Sequence, residues 1–393
     1  MPTDPFSALP LGSLTLRNRF IRTGCFEGLS QGGRPSDALI EHHRAVAAGG
    51  VAMTTVAYCA VSPDGRAYGH EMWMRKEIVG DLRRLTEAVH REGAAASIQL
   101  GHCGFFADPA VTGTRNIAPS RVFNLFRLSW PRPMTEADIA RVTGDFVQAA
   151  LLAREAGFDA VEVHAGHGYL LSQFLSPWTN RRRDAFGGSL EGRLALPTKV
   201  VREVRAALGP DFPLVVKFNL YDGFNGGLET KEAVSVARAL EEAGATALLP
   251  SCGFTSRTPF LMLRGRVPVA EMSRSQASLW KRLGFCAFGH LFVQTYPFTR
   301  LFLLEDAKPL IGAVSVPVIL LGGVCSLDDA VAALDAGFSA VALGRALIRD
   351  PMLVRRFQTG EVTASDCDHC NRCVAAMDAG GVRCVTATDG PVA

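Results

Sequence analysis

No segment of the 393-residue sequence reads as an address or an anchor. Residues Met1 to Gly12 contain neither a basic stretch nor an apolar run, which argues against a secretory signal and for a cytoplasmic protein. No stretch reaches the ~20 apolar residues that a membrane span requires. Phe285 to Leu304 comes nearest, but His290, Gln294 and Arg300 interrupt it, so it reads as a buried or subunit-facing helix. Five like charges never run together; the longest basic run, Arg181-Arg182-Arg183, is followed by Asp184. With 41 basic against 38 acidic residues, a net charge of +3 gives no reason to expect nucleic acid or an anionic membrane as a partner. A Gly-x-Gly-x-x-Gly turn after the first apolar run is also missing, which weighs against an open dinucleotide-binding sheet.

What is present is apolar and periodic. Apolar residues make up 48% of the chain and charged residues 20%, enough for a large core. Eight short apolar runs read as strands: Phe20–Thr23, Ala52–Ala57, Ala96–Leu100, Ala160–His164, Leu214–Asn219, Ala247–Ser251, Val316–Gly322 and Ala340–Gly344. Most are continuously apolar, as strands covered on both faces should be. Helical patterns lie between them. Ser36 precedes Leu39 to Ala48, Thr135 to Asp138 forms a capping box, Ser189 can cap Leu190 to Leu208, and Ser326 opens a helix ending at Gly337. Gly157, Gly244 and Gly337 stand where helices return to strands. The alternation predicts an α/β fold, a (β/α)8 TIM barrel, with its chemistry on the loops after the strands. A doubly wound sheet is the alternative. Residues 1–360 are assigned to the barrel and 361–393 to a cysteine-rich C-terminal tail. An inserted helical segment is expected between strands six and seven, within Gly253 to Phe302, with Ala270–Leu283 and Pro297–Ile311 helical.

The strand ends carry the chemistry. Strand four runs into His164-Ala165-Gly166-His167-Gly168-Tyr169. The two imidazoles suit paired donors to a carbonyl or nitro oxygen, and the phenol beside them suits an acid. Packing histidines and a metal pair are the alternatives, although Glu162 lies too deep to be a good third ligand. Gln99 ends strand three with an amide that both donates and accepts, as a flavin pyrimidine edge requires. Lys217 interrupts the apolar strand five and needs a negative partner: a flavin locus or an inward carboxylate. Gly322-Gly323 and Gly344-Arg345 end strands seven and eight, where barrels often hold a phosphate.

The stretch from His164 to Arg193 resembles the signature of the old yellow enzyme (NADH:flavin oxidoreductase) family. Leu16-Arg17-Asn18-Arg19, Ser62-Pro63-Asp64-Gly65-Arg66, Gln99, Lys217 and Gly344-Arg345 follow the family's order, so the resemblance runs from about Phe6 to Phe357. It implies FMN held at the barrel mouth and NAD(P)H as cosubstrate. Carried over, Thr23, Tyr58, Gln99 and Lys217 would lie at the flavin. Gly322, Gly323, Gly344 and Arg345 would bind its phosphate. His164 and His167 would hold the oxygen of an enone-type substrate, and Tyr169 would protonate the alkene. The sequence departs from the family at Gly24 and Phe26, at the bulky Tyr58 and at Gly192 before Arg193.

Ten cysteines divide into two sets. Cys25, Cys59, Cys103, Cys252, Cys286 and Cys325 are scattered, while Cys367, Cys370, Cys373 and Cys384 crowd the tail. Reduced, clustered thiols at this spacing suit a [4Fe-4S] cluster, with zinc or no metal as alternatives. The pattern is similar to the cluster loop of the family branch that includes 2,4-dienoyl-CoA reductase and trimethylamine dehydrogenase. That branch implies an electron-transfer partner and, as an alternative function, an FMN-dependent amine or N-methyl dehydrogenase. A chain ending at Ala393 is expected to lack the branch's second flavin domain. A non-flavin barrel lyase or aldolase using Lys217 is a further reading. The apolar stretch around Leu291–Phe302 suggests a homo-oligomer contact.

Overall fold

Eight apolar runs become eight parallel strands in the structure, a computed structural model that describes residues 3–274, 293–377 and 380–386. They are β1 (Phe20–Arg22), β2 (Met53–Ala60), β3 (Ala95–Gly101), β4 (Ala160–Ala165), β5 (Leu214–Tyr221), β6 (Ala247–Cys252), β7 (Ile319–Leu321) and β8 (Ala340–Leu343). They lie side by side in the order β6, β5, β4, β3, β2, β1, β8, β7. A parallel bridge from Leu248 of β6 to Val318, just before β7, closes the ring. Each strand is followed by an outer helix: α1 (Asp37–Ala48), α2 (Val79–Arg91), α3 (Glu136–Glu155), α4 (Leu190–Leu208), α5 (Ala233–Glu242), α6 (Leu304–Ala307), α7 (Leu327–Asp335) and α8 (Leu353–Gln358). This is the expected (β/α)8 barrel, its β6 and β7 joined by that one bridge.

The helix starts form where the sequence places them. Ser36 accepts from the Leu39 N–H, and Ser189 accepts from that of Gly192. Thr135 with Asp138, and Ser326 with Asp329, form reciprocal capping boxes. Gly157, Gly244 and Gly337 take φ of 88°, 107° and 99°, the left-handed turn that returns each helix to the next strand.

An N-terminal hairpin, Leu9–Leu11 with Leu14–Leu16, plugs the lower end of the barrel. Leu9, Leu11 and Leu16 pack there on Ile21, Met53, Val215, Leu249 and Ile319. Burying each such leucine contributes about 1.5–3 kcal/mol. With one end sealed by hydrocarbon, the polar side chains gather at the other.

The insertion between β6 and β7 is less helical than expected. Val269–Arg274 is helical, but the rest of the expected Ala270–Leu283 helix, together with Cys286, lies outside the described residues. Of Pro297–Ile311 only α6 is α-helical, continued by a 3-10 turn at Lys308–Leu310. The reason is local: Leu301 adopts φ 53° and its N–H donates to the Gly323 carbonyl at 3.2 Å, bending Thr299–Leu303 over the β7 loop. The two limbs of the excursion meet where Gly265 N–H donates to the Tyr296 carbonyl at 2.7 Å.

From residue 361 the chain leaves the outer ring and crosses the loops above the strands. Leu327 N–H donates to the Thr363 carbonyl, Ser365 to that of Cys325, and Arg266 to that of His369. Val382 N–H reaches the Glu27 carbonyl at 2.6 Å, beyond β1. Among the described residues, no helix is long and apolar enough to cross a membrane.

Candidate active site

Strand register sets the depth of each polar side chain. Gln99 stands beside Glu162 across β3 and β4. One layer higher, His164 stands beside Lys217 across β4 and β5. Gln99 donates to Glu162 Oε1 at 2.5 Å, and Lys217 Nζ lies 2.9 Å from the same oxygen. Lys217 also donates to Thr23 Oγ1 at 3.0 Å and to the Gly24 carbonyl at 3.2 Å. Of the two partners the sequence allowed for Lys217, the inward carboxylate is therefore present. Burial of the two charges is offset by pairing and hydrogen bonding. The departure at Gly24 has a steric reason: a Cβ there would lie 2.8 Å from Gln99 Nε2.

The loop after β4 brings His164, His167 and Tyr169 together. The imidazole centroids are 4.9 Å apart, and the Tyr169 ring lies 5.1 Å from that of His164. His167 has φ 58°, a left-handed conformation that a non-glycine residue adopts only where its surroundings impose it. Its surroundings do so at three points. Its N–H donates to Asn219 Oδ1 at 2.9 Å, its Nε2 shares a 2.7 Å bond with Ser251 Oγ, and its carbonyl accepts from Thr255 N–H at 2.9 Å. Burial, reinforced by the Lys217 charge, pushes His167 down to about 3. Burial, His167 and Lys217 hold His164 well below its usual range as well. Both rings are neutral at physiological pH, each with one N–H to donate. The buried Nδ1 of His164 has no partner among the described residues. Burial raises the Tyr169 phenol well above its usual value, so it stays protonated.

Tyr58 flanks this triangle, with its ring 5.5 Å from that of Tyr169. Gly101 makes room for it, since a Cβ there would sit 2.5 Å from Tyr58 Cε2. The bulky residue of β2 and the glycine of β3 are thus one steric pair. Phe105, Phe106 and Phe254 complete an apolar wall that excludes water.

On the opposite side of the mouth, Gly322 and Gly323 take φ of 109° and 79°. Part of their surface is covered, because a Cβ on Gly323 would lie 2.7 Å from the Leu301 nitrogen. The backbone N–H groups of Gly323 and Arg345 donate to no backbone acceptor among the described residues. Gly344 lies against Cys25 Sγ, 3.2 Å from where its Cβ would be. Arg345, expected at a phosphate, turns part of its fork to the tail. It donates to the Arg264 carbonyl at 2.8 Å and to Asn371 Oδ1 at 2.5 Å. Asn371 stands between Cys370 and Cys373, and Cys367, Cys370, Cys373 and Cys384 line one pocket with Arg345 and Arg349. Among the described residues, no three histidine, cysteine or acidic side chains surround a single metal ion, either here or at the two histidines.

Several site residues escaped sequence reasoning. Ser251 and Asn219 lie within the last three residues of β6 and β5, and their positions near strand ends were the available signal. Glu162, which the sequence presents only as a poor metal ligand, is the carboxylate that pairs with Lys217. Glu27 pairs with Arg22 at 2.9 Å behind β1, both fully buried, and no sequence signal marked the pair.

The barrel mouth thus sets two neutral imidazoles and a protonated phenol beside an amide–lysine–carboxylate layer. The chain belongs to the NADH:flavin oxidoreductase / NADH oxidase family, whose model matches residues 5–250. It is thus a flavin-dependent enzyme of the FMN- and NAD(P)H-using type. It is 42% identical over 381 residues to a 4,4'-dithiodibutanoate disulfide reductase of Rhodococcus erythropolis, covering 97% of this chain and 94% of that protein. It is 32% identical over 372 residues to an NADH oxidase of Thermoanaerobacter brockii, covering 93% of this chain and 52% of that protein. The solved 2-naphthoyl-CoA reductase complex shares the fold, with a TM-score of 0.81 at 22% identity, over 96% of this chain and 56% of that one. The chain therefore spans nearly all of the disulfide reductase and about half of the other two.

Proposed function

We propose that this enzyme uses NAD(P)H to reduce FMN and passes the hydride to an activated C=C bond, with Tyr169 as proton donor. The His164–His167–Tyr169 triangle carries the reading. The residues present suit FMN. Gln99, Lys217 and Thr23 offer donors and acceptors for the ring edge, Tyr58 bounds its space, and Gly322, Gly323, Gly344 and Arg345 supply phosphate donors. The partnerless His164 nitrogen and the undonated N–H groups of Gly323 and Arg345 support this.

Bound FMN supplies hydride chemistry, accepting from NAD(P)H and giving to the substrate. The protein's share is placement and proton transfer. His164 and His167 donate to the substrate oxygen, where charge builds as the alkene accepts hydride; removing one such donor typically costs ~10²–10³ in rate. Tyr169 transfers its proton to the neighbouring carbon, a role typically contributing ~10²–10⁴.

The high identity to a disulfide reductase favours a second substrate class. In that reading, hydride adds to one sulfur as the S–S bond breaks, and the other sulfur departs as a thiolate that takes its proton from water.

We also assign the four tail cysteines to a [4Fe-4S] cluster. The four cysteines line one pocket, and three of them follow one another at the two-residue spacing such clusters use. Arg345 and Arg349 would offset the cluster's negative charge. We retain residues 1–360 as the catalytic barrel and the segment from 361 as the cluster-bearing tail, with a partner electron carrier as the cluster's counterpart.

The test is an anaerobic absorbance spectrum before and after NADPH. Flavin bands that bleach, with a broad residual absorbance, support both cofactors. A colourless protein that takes up no added FMN would overturn the reading. Bleaching by amines and not by NADPH would favour the amine dehydrogenase. Enone and disulfide acceptors are then compared by reoxidation rate.

A further inference from the structure

Between β3 and α3 the chain makes an excursion with two faces. One face carries Phe105 and Phe106 into the apolar wall of the mouth. On the other, Pro109, Arg115, Asn116, Ser129 and Trp130 border a cavity of about 310 Å³, within the size range of small-molecule sites. None of the residues lining it belongs to the mouth.

Asn116 divides the two faces and is only 4% exposed. Its Nδ2 donates to the Phe105 carbonyl at 3.0 Å and to the Ala107 carbonyl at 2.7 Å. Both amide hydrogens are therefore used, which fixes the orientation of the amide and leaves Oδ1 as its open end. That oxygen is buried and has no partner among the described residues. The buried Ser129 Oγ has none either. The place of Ser129 is set by a hairpin: Asn124 N–H donates to the Ser129 carbonyl at 3.0 Å, and Ser129 N–H returns to the Asn124 carbonyl at 3.2 Å. Buried polar atoms are nearly always paired, so two open ones beside one cavity mark a place that a bound molecule completes.

The rest of the lining says what kind of molecule. Arg115 Nε donates to the Trp130 carbonyl at 3.1 Å, which holds the side chain, and its guanidinium forms no ion pair among the described residues. A held and unpaired guanidinium suits a carboxylate. Trp130 is 49% exposed and, with Pro109, offers the cavity an apolar ring surface. Asn116 Oδ1 can only accept, so the ligand must donate to it. The lining contains no histidine, cysteine or acidic residue, so a bound molecule is held and not converted.

We propose that this cavity is a second binding site, apart from the mouth, for a small aromatic carboxylate bearing an N–H or O–H donor. The carboxylate pairs with Arg115, the ring lies against Trp130, and the donor reaches Asn116 Oδ1, with Ser129 Oγ as a further polar contact. A donor on Oδ1 polarises the amide and strengthens its bonds to the Phe105 and Ala107 carbonyls, so binding braces the wall behind Phe105.

The experiment titrates para-aminobenzoate into the oxidised FMN holoenzyme by calorimetry while flavin absorbance is recorded. Saturable binding with an unchanged flavin spectrum is expected. R115A should weaken it about tenfold, the worth of a charge-assisted hydrogen bond. Replacing the probe by para-aminobenzamide, which lacks the charge, or by benzoate, which lacks the donor, should weaken it by a similar factor. W130A should have a smaller effect and H164A none. Arg115 and Trp130 are exposed, so both variants should keep FMN and the rate of its reduction by NADPH. The two analogues test the same contacts without any substitution. No saturable binding at millimolar probe would overturn the proposal, as would analogues that bind as tightly as the probe. Binding that shifts the flavin bands, and is lost in H164A but kept in R115A, would place the probe in the mouth and overturn it too.

Discussion

The two halves of the barrel mouth are built by different means. On the side of β3 to β6, every key side chain is held by near neighbours within the barrel. His167 is gripped by Asn219, Ser251 and Thr255, and Gln99 by Glu162. On the side of β1, β7 and β8, the loops are held from outside by the tail. Arg345 is fastened to Asn371, 26 positions on, and Arg266 to the His369 carbonyl. In the first half, most polar groups find partners on neighbouring strand ends; His164 Nδ1 is an exception. The second is held by a segment more than 20 positions along the chain that bonds to its loops. The difference predicts that acid chemistry and cysteine chemistry can be separated by mutation.

The largest expected effect is all-or-none. Changing Cys373 to Ala should abolish iron content, measured by a colorimetric iron assay, while FMN is retained at the wild-type ratio. Loss of both together would mean that the halves are one unit, joined through Arg345, and the comparison would break.

Next comes Tyr169→Phe. It should slow substrate-driven flavin reoxidation by about 10²-fold or more and leave NADPH-driven reduction intact. Stopped-flow absorbance separates the two phases; an unslowed reoxidation would remove Tyr169 as the acid. A smaller effect is expected for Ser251→Ala, which strips His167 Nε2 of its 2.7 Å partner. Losing one partner of a buried hydrogen bond costs about 1–3 kcal/mol, so kcat/KM should fall roughly 10- to 100-fold. If Ser251→Ala were neutral, the grip on His167 would have to come from Asn219 and Thr255 alone.

These two regions were also unequally legible in the sequence. All eight strands were readable because strands covered on both faces are continuously apolar, and the caps at Ser36, Thr135, Ser189 and Ser326 marked helix starts by their own chemistry. The His164–Tyr169 cluster was readable because its members fall within six residues at the end of β4 and the start of its loop. Ser251, Asn219 and Thr255 were not, because each is ordinary in type and acts only through a neighbour brought close by folding. The Pro297–Leu303 turn was misread as helix because its conformation is set by contact with Gly323, a residue more than 20 positions away. The same long reach hid the orientation of Arg345: its tail partner could not be inferred from the Gly344-Arg345 pair itself.

The smallest expected effect follows from how dry the substrate half is. Burial pushes Glu71, at the rim beyond β2, up to about 8, against hydrogen bonds from the Ala67 and Tyr68 N–H groups that pull the other way. Between its unfolded value and 8, the folded state holds a proton that the unfolded chain lacks, so stability rises as pH falls from about 8 toward neutrality. His167 acts in the opposite sense. Its folded value of about 3 lies below the unfolded one, so between ~6.5 and 3 the unfolded chain binds the extra proton and stability falls as pH falls. His164, also depressed, adds to that limb. Each fully linked proton contributes about 1.4 kcal/mol per pH unit, and these groups oppose one another, Glu71 on the alkaline side and the two histidines on the acid side. Glu71→Gln should lessen the alkaline slope and His167→Asn the acid slope, the remainder of the acid limb coming from His164. Thermal melts of the holoenzyme from pH 5 to 8.5 read both at once. A profile that moved instead with the tail cysteines would place the titrating groups in the wrong half of the mouth.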